Sequence, residues 1–214
     1  MTKCVLSYPA KLDNVPSFDL PLSTCKDRCN YHDLEICYAM PKNNSHEYYP
    51  SRKNKLRRNL RIIRSNNFYF RLVKAIIKSK SAYFRFFSSG QVENLNQLIK
   101  VLKVCSTCKN VKFCIMCNND LIYSQLIQSG YKIPSNVNVL LSNYELNEKT
   151  PSFIKEYFIK YNIGVTQTTI KKSLTTCNAS LKNGSKCELC TDCYTKKDIT
   201  FMIHGKHNKK RILK

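Results

Sequence analysis

The sequence predicts an α/β protein built on parallel strands, in an open sheet or a barrel-like one. The main observation is alternation. Short apolar runs alternate with amphipathic stretches from residue 52 to residue 170, and that order implies strands joined by helical crossovers. The second is the lack of any internal repeat or long linker in 214 residues, a length that supports one domain with its own core. Residues 1–50 read as cysteine-bearing loops, 51–170 as the α/β core, and 171–214 as a cysteine-rich extension with a basic tail.

Each element has a local reason. Pro9, Pro16, Pro21, Pro41 and Pro50 block long helices in the first segment. A helix is expected from an N-cap at Ser51, with Leu56, Leu60 and Ile63 as its apolar stripe and Arg57, Arg61 and Arg64 on a neighbouring one. Leu72, Val73, Ile76 and Ile77 mark a second helix. "AYFRFFSSG" reads as a buried strand leaving through Ser88, Ser89 and Gly90 into a loop. "VENLNQLIKVLKV" is amphipathic, with Val92, Leu95, Leu98, Ile99 and Leu102 inward. "VKFCIMC" is a strand, and "DLIYSQLIQSG" a helix closed by Gly130 at its C′ position. "VNVLL" is a strand, "PSFIKEYFIKYNIG" a helix stopped by Gly164, and "VTQTTI" is β-rich.

The charge is the unusual part of the composition. Thirty-six Lys and Arg against fourteen Asp and Glu give +22, a self-repelling surface that a polyanion neutralises. Nucleic acid is the first candidate partner and an anionic membrane surface the second. An AT-rich coding sequence explains Lys over Arg but not the scarcity of acids. The first residues, with Lys3, Pro9, Lys11 and Asp13, lack the apolar run of a signal peptide. No segment approaches the ~18 apolar residues of a membrane span. The expected location is therefore a reducing cytoplasm, that of a host if the protein is viral, where clustered cysteines suggest metal rather than disulfides.

Twelve cysteines fall mainly into three groups. Cys187, Cys190 and Cys193 stand at successive C-x-x-C spacings with Cys177 upstream. Three thiolates so spaced can wrap one iron–sulfur cluster with a further cysteine as fourth ligand, whereas zinc sites usually present two separated pairs. The spacing favours iron–sulfur, with zinc as the alternative. Cys25, Cys29 and Cys37 follow C-x3-C-x7-C. They can complete the C-terminal site or build a second one, and His32 between them reads as a solvent-facing loop residue. Cys105, Cys108, Cys114 and Cys117 form two pairs too close for a zinc ribbon. On a straight strand Cys114 and Cys117 point to opposite faces, so this quartet reads as small core hydrophobes.

Taken in order, "CKDRCNYHDLEICYA", the basic helix, "FRFFSSG", "VKFCIMC", the C-x9-C-x2-C-x2-C run and "KKDITFMIHGKH" resemble the phage and plasmid "gene product eighty-eight" family, over about residues 4–207. The resemblance implies a relative of radical S-adenosylmethionine barrels, hence a TIM-barrel-like parallel barrel, partial or irregular. It also implies a cluster, most simply of the four-iron, four-sulfur type, held among Cys25, Cys29, Cys37, Cys177, Cys187, Cys190 and Cys193. The chain departs from the radical signature, because Cys37 comes five residues late and no glycine-rich cofactor motif is present.

Between Glu47 and Glu93 no acidic residue occurs, while twelve Lys and Arg do, interleaved with Tyr and Phe. Phosphates require cations and unstacked bases require aromatic faces, a mixture suited to single-stranded nucleic acid. The candidate contacts are Arg52, Lys53, Arg57, Arg58, Arg61, Arg64, Tyr69, Arg71 and Arg85. Phe84 and Phe86 read as core, and Arg85 as either ion-paired there or facing a ligand site. Three functions follow. The first is a non-enzymatic iron–sulfur protein that binds single-stranded nucleic acid, DNA first, for replication or maintenance of a mobile element. The others are a radical-type enzyme and a zinc-stapled regulatory module.

Overall fold

Six strands form one sheet in which the spatial order is the order along the chain and every neighbouring pair is parallel. The computed structural model describes residues 6–9, 15–25, 50–117, 119–141, 160–161, 163–169, 176–177, 190–195 and 198–202. The strands are β1 (Ser17–Phe18), β2 (Tyr83–Phe86), β3 (Lys112–Cys117), β4 (Val137–Leu141), β5 (Gly164–Thr169) and β6 (Asp198–Met202). Between them lie α1 (Pro50–Ile63), α2 (Phe68–Ser79), α3 (Leu95–Thr107), α4 (Asp120–Gln128) and the single turn α5 (Asp192–Thr195). No helix among the described residues is long and apolar enough to cross a membrane.

Strand alternation divides the buried residues into two layers. Phe84, Phe86, Phe113, Ile115, Val137, Val139 and Leu141 join Leu72, Ile76, Leu98, Val101, Leu102, Ile122 and Leu126 from the helices in the main core. Fully burying one such side chain contributes about 1.5–3 kcal/mol. The intervening positions point to the other face, where the register aligns Ser17, Arg85, Cys114 and Asn138 in one row. A smaller cluster of Cys114, Leu140, Cys177 and Ile199 lies there, with Met116, Cys193, Tyr194 and Phe201 against it.

The α/β class holds, but the sheet is open. Its two outer edges are taken by isolated bridges: Ser7 pairs antiparallel with Ser17 beside β1, and Thr176 pairs parallel with Thr200 beside β6. Among the described residues β1 and β6 do not pair with each other, and the sheet is not closed into a barrel.

Element boundaries shift for local reasons. α1 begins at Pro50, a residue preorganised for a first turn. Its buried residues are Leu56, Asn59, Ile62 and Ile63, leaving the expected Leu60 only partly buried. Asn59 belongs inside because its amide donates to the Asp19 carbonyl at 3.0 Å. α3 starts after Asn94, whose side chain accepts from the Gln97 N–H, so Val92 precedes the helix and is buried in the core from the loop. Gly130 follows α4 with φ +72, as expected of a C′ glycine. Gly164, expected to stop a helix, is the first residue of β5. Most of the helix expected over residues 151–164 lies outside the described residues.

Candidate functional site

Two constructions use the polar residues that the core does not. The first joins the segment after β1 to the segment after β2, at the carboxyl edge of the sheet. Asp19 is fully buried, and its carboxylate accepts from the Ser88 N–H and the Ser17 hydroxyl, both at 2.9 Å. The Leu20 N–H donates to the Ser89 carbonyl at 2.9 Å, and the Ser89 hydroxyl donates back to the Leu20 carbonyl at 3.1 Å. The Gln91 N–H donates to Thr24 Oγ1 at 2.9 Å.

The loop makes these contacts by turning twice through positive φ, at Phe87 (+61) and Gly90 (+66). Phe87 pays for its unfavourable dihedral by burying its ring in the main core. Ser88 is 8% exposed, and its Oγ has no hydrogen-bond partner among the described residues. The 3-10 turn Leu22–Cys25 closes this construction and presents Cys25, which is buried. Burial lowers the pKa of Lys55 on α1, with Asp19 acting in the opposite sense and Arg52 adding to the lowering. Cys29 and Cys37 lie outside the described residues.

The second construction lies on the face of the sheet away from the main core. The short helix α5 rests against β3 and β4. Asn138 donates to the Cys193 carbonyl at 2.9 Å, and the Tyr194 ring packs on Tyr83 with centroids 4.8 Å apart. These two attachments set the Cys193 thiol in hydrogen-bonding contact with Cys114. That contact holds the Cys193 pKa well above its usual value; burial adds to the effect and Arg85 opposes it. Cys177, buried in the same cluster, is fixed by its N–H donating to the Thr200 carbonyl at 2.7 Å. Cys190 is partly buried, and Cys187 is outside the described residues. None of the described cysteines is in a disulfide, and among the described residues no three His, Cys, Asp or Glu side chains converge on one ion.

The quartet expected to fill the core therefore divides. Cys105 and Cys108 do belong to the main core, where burial raises the pKa of both. Cys114 is equally buried but belongs to the other face, beside Cys193. Sequence spacing tested Cys114 against Cys117 and so missed a partner far along the chain. The available signal was its register with Arg85, a second polar residue at the same phase of a neighbouring apolar strand.

The nine candidate nucleic-acid residues do not form one set. Lys53, Arg57 and Arg61 are exposed on α1, and none is ion-paired among the described residues. Arg52, Arg58 and Arg71 are partly buried. Arg64 is engaged: Glu93 takes its Nε at 2.9 Å and a second guanidinium nitrogen as well, with Gln97 supporting the carboxylate at 3.0 Å. The acid-free interval had suggested an arginine stripe without carboxylates, but the partner lies at that interval's very end. Arg85 is the other exception, since it sits on the thiol-bearing face. Tyr69 packs against the core and its hydroxyl bonds Thr107 at 2.7 Å, whereas the adjacent Phe70 is 72% exposed.

Together these features define an open parallel-sheet α/β protein with thiols on the sheet face and cations on a crossover helix. Comparison with protein-family models, curated proteins and solved structures finds no match to this chain.

Proposed function

We propose that this is an iron–sulfur protein that binds single-stranded nucleic acid with little sequence preference, for replication or maintenance of a mobile element in its host's cytoplasm. The observation that carries the binding half is the outer surface of the β1–β2 crossover, where Arg57 and Arg61 are exposed on α1 and Phe70 is exposed on α2. Cations reach backbone phosphates, and an uncovered ring can stack on a base. The metal half rests on the thiol-rich sheet face and on the resemblance to the "gene product eighty-eight" family. Of the cysteines expected to hold the metal, Cys177 and Cys193 lie together on that face, and thiolates are the ligands that iron–sulfur clusters and zinc take. A part-barrel is favoured by the sequential strand order and by α1, α2, α3 and α4 all packing into the main core on one face of the sheet, although the single turn α5 lies on the other.

The test is anisotropy of a labelled oligothymidine strand over a range of salt concentrations, on protein purified without oxygen. Replacing Arg57 and Arg61 by Ala removes two phosphate contacts and should reduce the salt slope of log K by about 1.4. Phe70→Ala should weaken binding by about 1–3 kcal/mol at every salt concentration. If the folded protein does not bind even at low salt, the basic excess is compositional and this reading fails.

A second reading, a radical-type enzyme, is favoured by the position of Cys25. It ends the 3-10 turn Leu22–Cys25 on the segment that leaves the carboxyl end of β1, the edge at which parallel α/β enzymes assemble their sites. Release of 5′-deoxyadenosine from S-adenosylmethionine by the reduced protein would place this reading first.

A further inference from the structure

We propose that the carboxyl edge of β1 and β2 carries a site for a phosphate monoester, formed by Arg52 and Lys55 of α1 and the hydroxyl of Ser88 in the loop after β2. The occupant is the terminal phosphate of a nucleic-acid strand or the phosphate of a free nucleotide. The site uses neither Arg57, Arg61 nor Phe70, so it goes beyond the binding surface above and does not depend on it.

The inward face of α1 changes character along its length. Its later turns bury Leu56, Asn59, Ile62 and Ile63. Lys55 and Arg52 stand four and seven residues before Asn59, a spacing that continues the same face towards the amino end. Both are partly buried. Asn59 donates to the Asp19 carbonyl at 3.0 Å, which fixes where that face points. Lys55 and Arg52 then follow about 6 and 10 Å further along the axis. Asp19 comes directly after β1, and its carboxylate accepts from the Ser88 N–H at 2.9 Å. The same carboxylate is close enough to act on Lys55. The cations and Ser88 therefore meet around one residue.

Ser88 supplies an independent sign of a ligand. It is 8% exposed, and its buried Oγ has no hydrogen-bond partner among the described residues. A buried hydroxyl left unpaired destabilises a fold unless something completes it. The charge beside it is equally incomplete. Burial and Arg52 both act against the Lys55 ammonium, and Asp19 offsets them only in part. Asp19 is itself engaged by the Ser17 hydroxyl and the Ser88 N–H, and the first turn of α1 holds no acidic residue. An anion between the cations would accept from the hydroxyl and neutralise both side chains. The recess selects a monoester. Its near-double charge at neutral pH matches two cations, and its single ester bond lets the free oxygens enter end-on. A diester within a strand would have to bring in a nucleoside on each side.

The chain is titrated at fixed ionic strength with oligothymidine carrying a 5′-phosphate or a 5′-hydroxyl, and separately with thymidine 5′-monophosphate and thymidine. A strand end as occupant predicts that the phosphorylated strand binds at least about tenfold tighter than the hydroxyl strand. A free nucleotide predicts that the monophosphate binds and thymidine does not. Either preference should fall to near parity in Ser88→Ala and Lys55→Met. It should survive in Lys103→Met, which removes an exposed cation from α3. Without ligand, Ser88→Ala should leave the urea midpoint unchanged or raise it, because the lost hydroxyl had no partner among the described residues. A lower midpoint would show a hydroxyl already partnered within the protein and would overturn the assignment. If Lys55→Met does not fold, Ser88→Ala carries the test alone. No preference for phosphate, or a preference that survives Ser88→Ala, sinks this proposal even where hydroxyl strands bind and the function above stands. If hydroxyl strands do not bind while the monophosphate does, the function above fails and this site stands.

Discussion

Replacing Gly90 by Ala should be one of the most damaging single-methyl additions in this protein. A Cβ on Gly90 would lie 2.5 Å from both the carbonyl carbon and oxygen of Leu20 and 2.7 Å from its Cβ. Those are backbone atoms, or are fixed to them, so no side chain can swing away. To restore an ordinary contact the loop must retreat by about 1 Å, which breaks the reciprocal pair between Leu20 and Ser89. Two hydrogen bonds at about 1 kcal/mol each are then at stake. The dihedral adds its own cost, about 1–2 kcal/mol for an L-residue in the left-handed region. The expected loss is about 3–4 kcal/mol.

Gly130 supplies the control. Its φ is +72, but nothing lies within 4 Å of a Cβ placed there. Gly130→Ala should therefore cost only the dihedral share, about 1 kcal/mol or somewhat more. Urea unfolding followed by circular dichroism measures both variants against wild type. Equal destabilisation by the two would refute the close approach of Gly90 to Leu20, and with it the clamp that positions Cys25.

Two smaller effects are also testable. Asn136 shares its amide hydrogens among the carbonyls of Cys105, Cys108 and Val111 at 3.0, 3.2 and 3.0 Å, tying the end of α3 to the start of β3; Asn136→Ala should cost about 1–3 kcal/mol in urea unfolding, and a loss under about 0.5 kcal/mol would refute that role. The hydrogen bond from Arg64 holds Glu93 below the usual carboxylate range, with Gln97 adding to it and partial burial opposing. Its contribution is thus present above the unfolded carboxyl pKa and lost as pH falls through the lowered folded value. Glu93→Gln should be less stable than wild type by about 0.5–1 kcal/mol near neutrality, and the gap should close in acid; a gap independent of pH would show that ionisation is not its source.

The sequence made the layering legible because it is written in local periodicities. Runs such as "YFRF" and "VNVLL" between amphipathic stretches announce parallel strands, and the buried phenylalanines fall where alternation puts them. Pairings between distant residues were not legible. Arg64 finds Glu93 only after the chain has turned through α2 and β2, and Cys114 meets Cys193 only within the last crossover. Spacing rules compare neighbours, so each was judged against the wrong company. Asp19 and Asn138 were missed for the same reason: each is a common polar residue until its hydrogen-bond partners identify it.

The two-residue length of β1 has an energetic consequence. Pairing Ser17 with Arg85 closes a far longer stretch of chain than pairing Phe113 with Val137. The added entropy loss is only about 1 kcal/mol, but β1 has just two ladder positions with which to recover it, against the five that join β3 to β4. The first strand is therefore held less by its ladder than by the buried Asp19 carboxylate, the Leu20–Ser89 pair and the Ser7 bridge. The segment that ends at Cys25 is thus held by these polar contacts together with the burial of Phe18 and Leu20 in the main core.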